Sequence, residues 1–331
     1  MTILALETSC DDTCAAVVTA SGEILANVVS SQGVHDRFGG VVPEIASRHH
    51  LELVNAVVDD ALARAGTDLG DVDAVAVTQG PGLVGALLVG VATAKGLAAA
   101  RGLPLIPVDH LQGHVAANFL APAPMEPPFL CLIASGGHTL LARVRDHRGY
   151  DVAGTTLDDA AGEAFDKGAR LLGLGFPGGP ALSRLAADGD PHAFAFPTAA
   201  RVAGLDFSFA GLKTALLYKV RDLGEEEAAR RAPDLAASYE HAIVEALMAR
   251  VERALAADAS PRLAIGGGVA ANRRLRARAE GLGVEVHVPP PELCTDNAAM
   301  IASAARWADR VPYPRYLALD AYATRPRRRA A

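Results

Sequence analysis

Val108-Asp109-His110-Leu111-Gln112-Gly113-His114 is the stretch from which the fold and the chemistry of this chain can both be read. The apolar run before it, Leu103 to Val108, reads as a strand. Asp109, with Gln112 three residues on, has the form of a capping box, so a helix is expected to begin there. His110 and His114 then share one helix face, with Cβ atoms about 5–6 Å apart. A strand that hands over to a helix is where open α/β sheets place their ligands. Two imidazoles at that spacing can hold one metal ion. They can equally be two unrelated histidines, and the rest of the chain has to decide.

The chain has 331 residues, enough for two domains or one large two-lobed unit. Half of its residues are hydrophobic but only 5% are aromatic, so small aliphatic side chains must fill a large core. The formal charge of −7 argues against nucleic-acid binding driven by net charge, while leaving room for a local basic patch. Glu7, Asp11 and Asp12 interrupt the N-terminal apolar run, which excludes a signal peptide reading. Ala74 to Ala94 carries no charge, yet Gln79-Gly80-Pro81-Gly82 breaks it into a short strand and a buried helix, so no membrane span is expected. Cys10, Cys14, Cys131 and Cys294 form no CxxC pair, which indicates neither a disulfide framework nor a zinc knuckle and suits a reducing cytoplasm.

Read in order, Ile3–Leu6, Cys14–Thr19 and Ile24–Val29 form a meander that opens on a Ser/Thr/Asp turn. A helix runs through Ser47 to Ala65, a strand over Asp73–Val77, and a helix over Leu83–Ala100. The pattern then recurs. Phe129–Ala134, Leu140–Val144 and Tyr150–Thr155 make a second meander, followed by a helix over Asp158–Leu172. The spacing indicates an internal duplication about 125 residues apart. Leu174 to Pro180 reads as a loop, Pro233–Ala257 as a long helix, Arg262–Ile265 and Val284–Val288 as strands, and Cys294 opens the last long helix.

Three glycine-rich turns follow strands, at 80–82, 135–137 and 266–268. Exposed backbone N–H groups at such turns bind anions, so three of them favour a phosphate-bearing ligand. Neither GxGxxG nor a Walker GKS/T is present. Asp296 is either a helix cap or the third ligand of a two-His, one-carboxylate site with His110 and His114, suited to Fe2+ (or Zn2+). Asp166 is either a solvated charge paired with a nearby lysine or a ligand contact. Arg273, Arg274, Arg276 and Arg278, with Arg325 and Arg327 to Arg329 in the tail, are the only basic clusters and the candidates for RNA contact.

Nearly end to end, these motifs resemble the bacterial tRNA threonylcarbamoyladenosine transferases (TsaD), formerly described as O-sialoglycoprotein endopeptidases. The motifs are Glu7-Thr-Ser-Cys-Asp-Asp12, Gly39-Gly-Val-Val-Pro-Glu44, Gly80-Pro-Gly-Leu-Val-Gly-Ala86, His110-xxx-His114, Ser135-Gly-Gly-His-Thr139, Gly162-Glu-Ala-Phe-Asp-Lys167, Pro177-Gly-Gly-Pro180, Leu205-Asp-Phe-Ser-Phe209, Gly266-Gly-Gly-Val269 with Asn272, and Cys294-Thr-Asp-Asn297. The resemblance implies an α/β, two-lobed actin, sugar-kinase and Hsp70-like fold with a duplicated mixed-sheet core. One lobe would hold residues 1–108 and 300–331, the other 109–299, with ligand in the cleft. It implies His110, His114 and Asp296 as metal ligands, meeting where the lobes close beside Ser135–Gly137. It implies Ile133, Ala134, Ser135, Gly136, Gly137, Asp166, Gly179 and Asn272 as adenylate-binding positions, with Ser183 where some members carry aspartate; Asp11 is the catalytic candidate on the residues alone. Asp109 receives no role.

The implied reaction moves a threonylcarbamoyl group from L-threonylcarbamoyl-AMP to N6 of adenosine 37, beside the anticodon, in tRNAs that read codons beginning with A. The implied partners are tRNA, a TsaB-like paralogue and a TsaE-like ATPase. A metalloprotease is the competing reading of the histidines, but HxxxH lacks the HExxH spacing and its glutamate base. A sugar kinase on the same fold would need an aspartate facing a hydroxyl, a place Asp11 could fill. If the tail contacts RNA, removing the charges at Arg325 and Arg327 to Arg329 weakens tRNA binding, and each lost phosphate contact lowers the salt slope by about one unit. Binding titrations across a salt series read this directly, and an unchanged slope rejects it.

Overall fold

In the computed structural model the residues described are 1–198, 202–257 and 261–324, so the tail arginines Arg325 and Arg327 to Arg329 lie outside the described residues. The chain forms two compact units. The first comprises Met1–Glu126, Asp146–Gly149 and the described residues from Asp296 onward; the second comprises Pro127–Arg145 and Tyr150–Thr295. This differs from boundaries at 108 and 300: His110, His114 and Asp296 all belong to the first unit.

The first sheet is built from β1 (Thr2–Glu7), β2 (Asp12–Thr19) and β3 (Ile24–Ser31), followed after α1 (Pro43–Ala65) by β4 (Ala74–Gly80), and after α2 (Val84–Arg101) by β5 (Leu105–Asp109), which runs into α3 (His110–Ala116). The strand order is β3-β2-β1-β4-β5. β1, β2 and β3 pair antiparallel, whereas β1, β4 and β5 pair parallel. The second unit repeats this plan. It contains β6 (Phe129–Ala134), β7 (Thr139–Asp146), β8 (Gly149–Thr155), α4 (Ala161–Leu171), α5 (Gly178–Ala186), α6 (Ala210–Leu223), α7 (Glu225–Arg230), α8 (Ala232–Leu255), β9 (Arg262–Gly266), α9 (Arg273–Glu280), β10 (Glu285–His287) and α10 (Pro291–Cys294). Its order, β10-β9-β6-β7-β8, is the first sheet's order with β6 in the place of β1. β6 pairs antiparallel with β7 and parallel with β9, as β1 does with β2 and β4. The duplication read from the sequence is therefore real at the level of topology.

Local chemistry explains where the elements depart from expectation. α4 begins at Ala161, not Asp158, because the Asp158 carboxylate is engaged elsewhere: Oδ1 accepts the N–H groups of Phe209 at 2.7 Å and Ala210 at 3.2 Å. Asp158 thereby satisfies the first turn of α6, the task of an N-cap. That contact also gives Leu205–Phe209 a structural role. Phe207 bridges Thr156, Asp206 Oδ1 accepts the Thr155 N–H at 2.9 Å, and the buried Arg250 donates to the Asp206 carbonyl at 3.1 Å. The segment extends the edge of β8 and launches α6. The expected loop at 174–180 ends in α5, whose first residues, Gly178-Gly179-Pro180, suit a helix start although they read as a turn.

In the first unit the alternation of β1 decides what lies above and below the sheet. Leu4 and Leu6 pack with Val17, Val58, Val75, Val77 and Val91 beneath α1 and α2. Ile3, Ala5 and Glu7 take the opposite face, where α11 (Ala298–Ala305) packs on β1, β2 and α3. α2 is long and apolar enough to cross a membrane by length and composition. It is not a fully buried helix: Ala86, Leu87, Gly90, Val91, Ala94 and Ala98 face the core, while Val84 and Leu88 are exposed. After α11 the chain returns across the β4–α2 turn. There Tyr322 N–H donates to the Gln79 carbonyl at 3.1 Å and its hydroxyl donates to Asp109 Oδ2 at 2.9 Å.

α3 and α11 approach closely at Gly113, where a Cβ would lie 2.7 Å from Ile301 Cδ1 and 3.2 Å from Met300 Cγ. A single methyl can be absorbed by the end of the isoleucine; a branched side chain cannot. Gly113→Val is expected to destabilise the chain by about 1–3 kcal/mol through overpacking, as measured by urea unfolding.

Candidate functional site

The first turn of α3 is set by Asp109, whose Oδ1 accepts the N–H groups of Leu111 at 3.0 Å and Gln112 at 3.1 Å. The cap is as expected from sequence, and the Gln112 amide nitrogen beside it is buried without a hydrogen bond. α11 is capped by Asn297, whose side chain accepts the Met300 N–H at 3.0 Å. Asp296 therefore does not serve as the cap, and the last helix starts at Ala298 rather than Cys294. Its carboxylate instead faces the imidazoles: Oδ1 lies 3.2 Å from His114 Nε2 and 3.6 Å from His110 Nε2. The two rings stand edge to face, with centroids 4.7 Å apart. One ligand atom from each of the three residues falls within 4.8 Å of the others.

This donor set fits a divalent cation. His114 is fully buried, and neither of its ring nitrogens has a hydrogen-bond partner. Its Nε2 is close to Asp296 but not aligned to share a proton with it. A buried imidazole left so costs free energy unless a lone pair is used. Metal–nitrogen and metal–oxygen bonds of about 2.0–2.2 Å place neighbouring ligand atoms about 3–3.5 Å apart, close to the 3.2 Å and 3.6 Å between Asp296 Oδ1 and the two imidazoles.

Glu7 completes the surroundings, and spacing in the sequence did not single it out. It ends β1 and is 1% exposed. Its Oε2 lies 3.0 Å from His110 Nδ1 and accepts the Thr78 hydroxyl at 2.6 Å. Burial opposes a charge on His110, but Asp296 and then Glu7 outweigh it and raise the imidazole to about 9. Burial likewise raises Glu7, and the adjacent His110 more than offsets this, holding the carboxyl below its ordinary value. Asp12 is pushed up to about 7 by burial, with Asp296, Asp11 and Glu7 adding to the effect and the Ser31 hydrogen bond opposing it. Asp11 lies in the β1–β2 turn, partly buried, and its carbonyl accepts the Gln32 N–H at 3.1 Å.

The other sequence-derived positions fall in the second unit. Ile133 and Ala134 end β6, and Ser135-Gly136-Gly137 turn into β7. The Ser135 N–H donates to the His138 carbonyl at 2.8 Å, and the Gly162 N–H donates to the Ser135 carbonyl at 3.0 Å. A Cβ on Gly162 would meet Ser135 O at 2.6 Å and the Gly136 backbone at 2.8 Å, so glycine lets α4 begin against this turn. Asp166 is not paired with its neighbouring lysine: Lys167 binds Asp159 at 2.6 Å and Glu163 at 2.9 Å. Asp166 Oδ1 accepts the N–H groups of Gly178 at 2.8 Å and Gly179 at 3.2 Å and so caps α5. Burial raises the Asp166 pKa despite these two bonds. Asn272 caps α9 through Oδ1, which accepts the Leu275 N–H at 2.9 Å. Its Nδ2 donates to Ser183 Oγ at 3.0 Å and to Glu240 Oε1 at 2.6 Å.

The basic face expected on α9 is largely neutralised. Arg274 pairs with Glu240 at 3.3 Å, Arg278 bridges Glu245 and Glu252, and Arg276 Nε donates to the Ala270 carbonyl at 2.6 Å. Arg273 is exposed.

Comparison with known proteins adds four findings. The family model described as tRNA N6-adenosine threonylcarbamoyltransferase (TsaD) matches residues 23–303. The tRNA N6-adenosine threonylcarbamoyltransferase of Anaeromyxobacter dehalogenans is 56% identical over 92% of this chain and 93% of that protein. That of Clostridium perfringens is 50% identical over 92% of this chain and 91% of its own length. Among solved structures, HypF from T. kodakarensis superposes with a TM-score of 0.61 at 14% identity, covering 92% of this chain and 47% of that one. That likeness bears on the fold alone, which is of the actin and sugar-kinase type.

Metal binding to His110 is expected to release a proton. With its pKa raised to about 9, the metal-free imidazole is charged at pH 7, and Nε2 can accept a cation only once deprotonated. Apparent affinity should therefore rise with pH, by up to about tenfold per unit, and level off above the raised pKa. Calorimetric titration with Co2+ in buffers of different ionisation enthalpy counts the proton, and a pH-independent affinity between 6 and 8 rejects the assignment.

Proposed function

The chain belongs to the tRNA N6-adenosine threonylcarbamoyltransferase family, and we propose that it takes the threonylcarbamoyl group from L-threonylcarbamoyl-AMP to N6 of adenosine 37 in tRNAs reading codons that begin with A. The observation that carries this reading is the set of two buried histidines and one partly buried carboxylate, in a chain that matches the family over most of its length. Attack by N6 forms a carbon–nitrogen bond to the carbamoyl carbon, the carbon–oxygen bond to phosphate breaks, and AMP leaves. No side-chain nucleophile is needed. Asp11, partly exposed in the β1–β2 turn, is our candidate acceptor for the N6 proton.

His110, His114 and Asp296 would hold Fe2+ or Zn2+, which supplies a Lewis acid for oxygen atoms that gain charge in acyl transfer. In the second unit we assign the adenylate to Ile133–Gly137, Asp166, Gly179 and Asn272. The turn offers backbone N–H groups, and Asn272 Oδ1 and Ser183 Oγ, whose partners leave each a lone pair, can accept from ribose hydroxyls. Asp166 has Oδ1 committed to Gly178 and Gly179, which leaves Oδ2 for a ligand. A TsaB-like paralogue and a TsaE-like ATPase are the proposed partners, and the cytoplasm is the proposed compartment.

The test is mass spectrometry of tRNA nucleosides after incubation with threonylcarbamoyl-AMP. The isolated chain is expected to modify tRNA poorly and to gain multiple turnover with the partners; full turnover without them would contradict the partner assignment. His114→Ala and Asp296→Ala should remain folded, lose bound metal, and lower transfer on the order of a hundredfold or more, since charge stabilisation of several kcal/mol is removed. Full metal occupancy with full modification in either variant rejects the triad.

A further inference from the structure

We infer that Glu7 is a positioning residue of the metal centre: it fixes the tautomer and the ring orientation of His110, so that Nε2 is presented as a ligand. The inference rests on the metal-centre reading above and deepens it. Glu7 belongs to the Glu7–Asp12 motif, to which the proposed reaction otherwise gives no task beyond Asp11.

The geometry is specific. Both oxygens of a carboxylate that is 1% exposed are engaged. Oε1 accepts the Ser9 N–H, and Oε2 accepts the Thr78 hydroxyl at 2.6 Å while lying 3.0 Å from His110 Nδ1. Ser9 Oγ is also 3.1 Å from that nitrogen. An ionised carboxylate can only accept, so Nδ1 carries the proton. In the neutral, ligand form of the ring the lone pair is then on Nε2, the nitrogen that faces Asp296 at 3.6 Å. Strand parity supports this placement: Glu7 shares the β1 face of Ile3 and Ala5, the side on which α11 packs. β4 supplies Thr78 from the neighbouring parallel strand, so two strands of the sheet hold the carboxylate in place.

The two histidines are thus unequal. His114 Nδ1 is buried and has no hydrogen-bond partner, whereas His110 has an anionic acceptor. A carboxylate on the far nitrogen raises the basicity of an imidazole ligand and removes its rotational freedom, and loss of such a partner typically weakens metal binding by about 10–100-fold. Glu7 should therefore govern affinity through His110, without touching the ion.

The experiment uses the full chain and Co2+ as the probe, with affinity measured by competition against a chromophoric chelator and the site followed by its visible ligand-field bands. Glu7→Gln is expected to weaken Co2+ binding by about 10–100-fold and to shift those bands. A merely structural Glu7 would instead lower the thermal midpoint of the metal-free chain and leave the affinity and spectrum of the folded fraction unchanged, which overturns the inference. Should Glu7→Gln fail to fold, Thr78→Val decides, because it removes only the hydroxyl that holds Oε2. A few-fold loss with a band shift supports the inference, and a folded variant with unchanged affinity and spectrum overturns it. His114→Ala separates the two levels of the reading. If Co2+ binding is indifferent to that change, the metal centre itself is wrong and Glu7 has nothing to position; if it is sensitive while Glu7→Gln and Thr78→Val are silent, only the role of Glu7 falls.

Discussion

The contact between α3 and α11 is the constraint on which the first unit's chemistry depends. Gly113 removes the side chain that would hold the helices apart, and Ser303 donates to the Ala116 carbonyl at 2.7 Å to lock them. The start of α11 is held in turn by the sheet: Asn27 accepts the Ala299 N–H at 3.3 Å, and the Cys14 thiol lies 3.8 Å from the Asp296 carbonyl. These restraints bring a carboxylate about 180 residues downstream to two imidazoles on one helix. The result is an accumulation of ionisable groups with little water. Removing an ion from water costs several kcal/mol even after relaxation, so Glu7 and Asp296 need compensating positive charge nearby. Either an imidazolium or a divalent cation supplies it, and only the cation also uses the lone pairs of His114.

Much of the fold was legible because buried strands announce themselves. Phe129–Ala134 is apolar throughout and bounded by turn residues, and β6 has those limits. The second meander could be matched to the first because each opens on a polar turn, and the shared strand order confirms the match. What the sequence hid was long-range satisfaction of backbone groups. Asp158 looks like a helix residue but caps α6 across about fifty positions. Asp166 looks like half of a helical ion pair but caps α5. A cap supplied from another element leaves no mark at the helix it serves, so Gly178-Gly179-Pro180 reads as loop. The boundary placed near 108 has a related origin: α3 looks like the start of a new segment until its packing on α11 is known.

For the candidate site, helical spacing paired His110 with His114; the sequence left Asp296 as either a helix cap or the third ligand, and the family resemblance chose the second. Glu7 carried a weaker signal. A carboxylate at the end of a buried strand is expensive unless paired, and alternation from Ile3 and Ala5 gives the face it occupies. Neither fact names the partner, since Thr78 and His110 come from strands and helices remote in the chain.

The arginines of α9 show how composition misleads about partners. Four positive charges within six residues look like an RNA-binding face, yet Arg274 and Arg278 are bound to glutamates on α8 and its C-terminal turns, and Arg276 to a backbone carbonyl. RNA affinity from lysine and arginine comes mainly from release of the counterions held by phosphate. An arginine already paired to a carboxylate brings no net charge to the phosphate, and it must first give up that pair. α9 is therefore a brace for α8 in the second unit, and a chain of net charge −7 has to draw its phosphate contacts from other residues or from a bound partner.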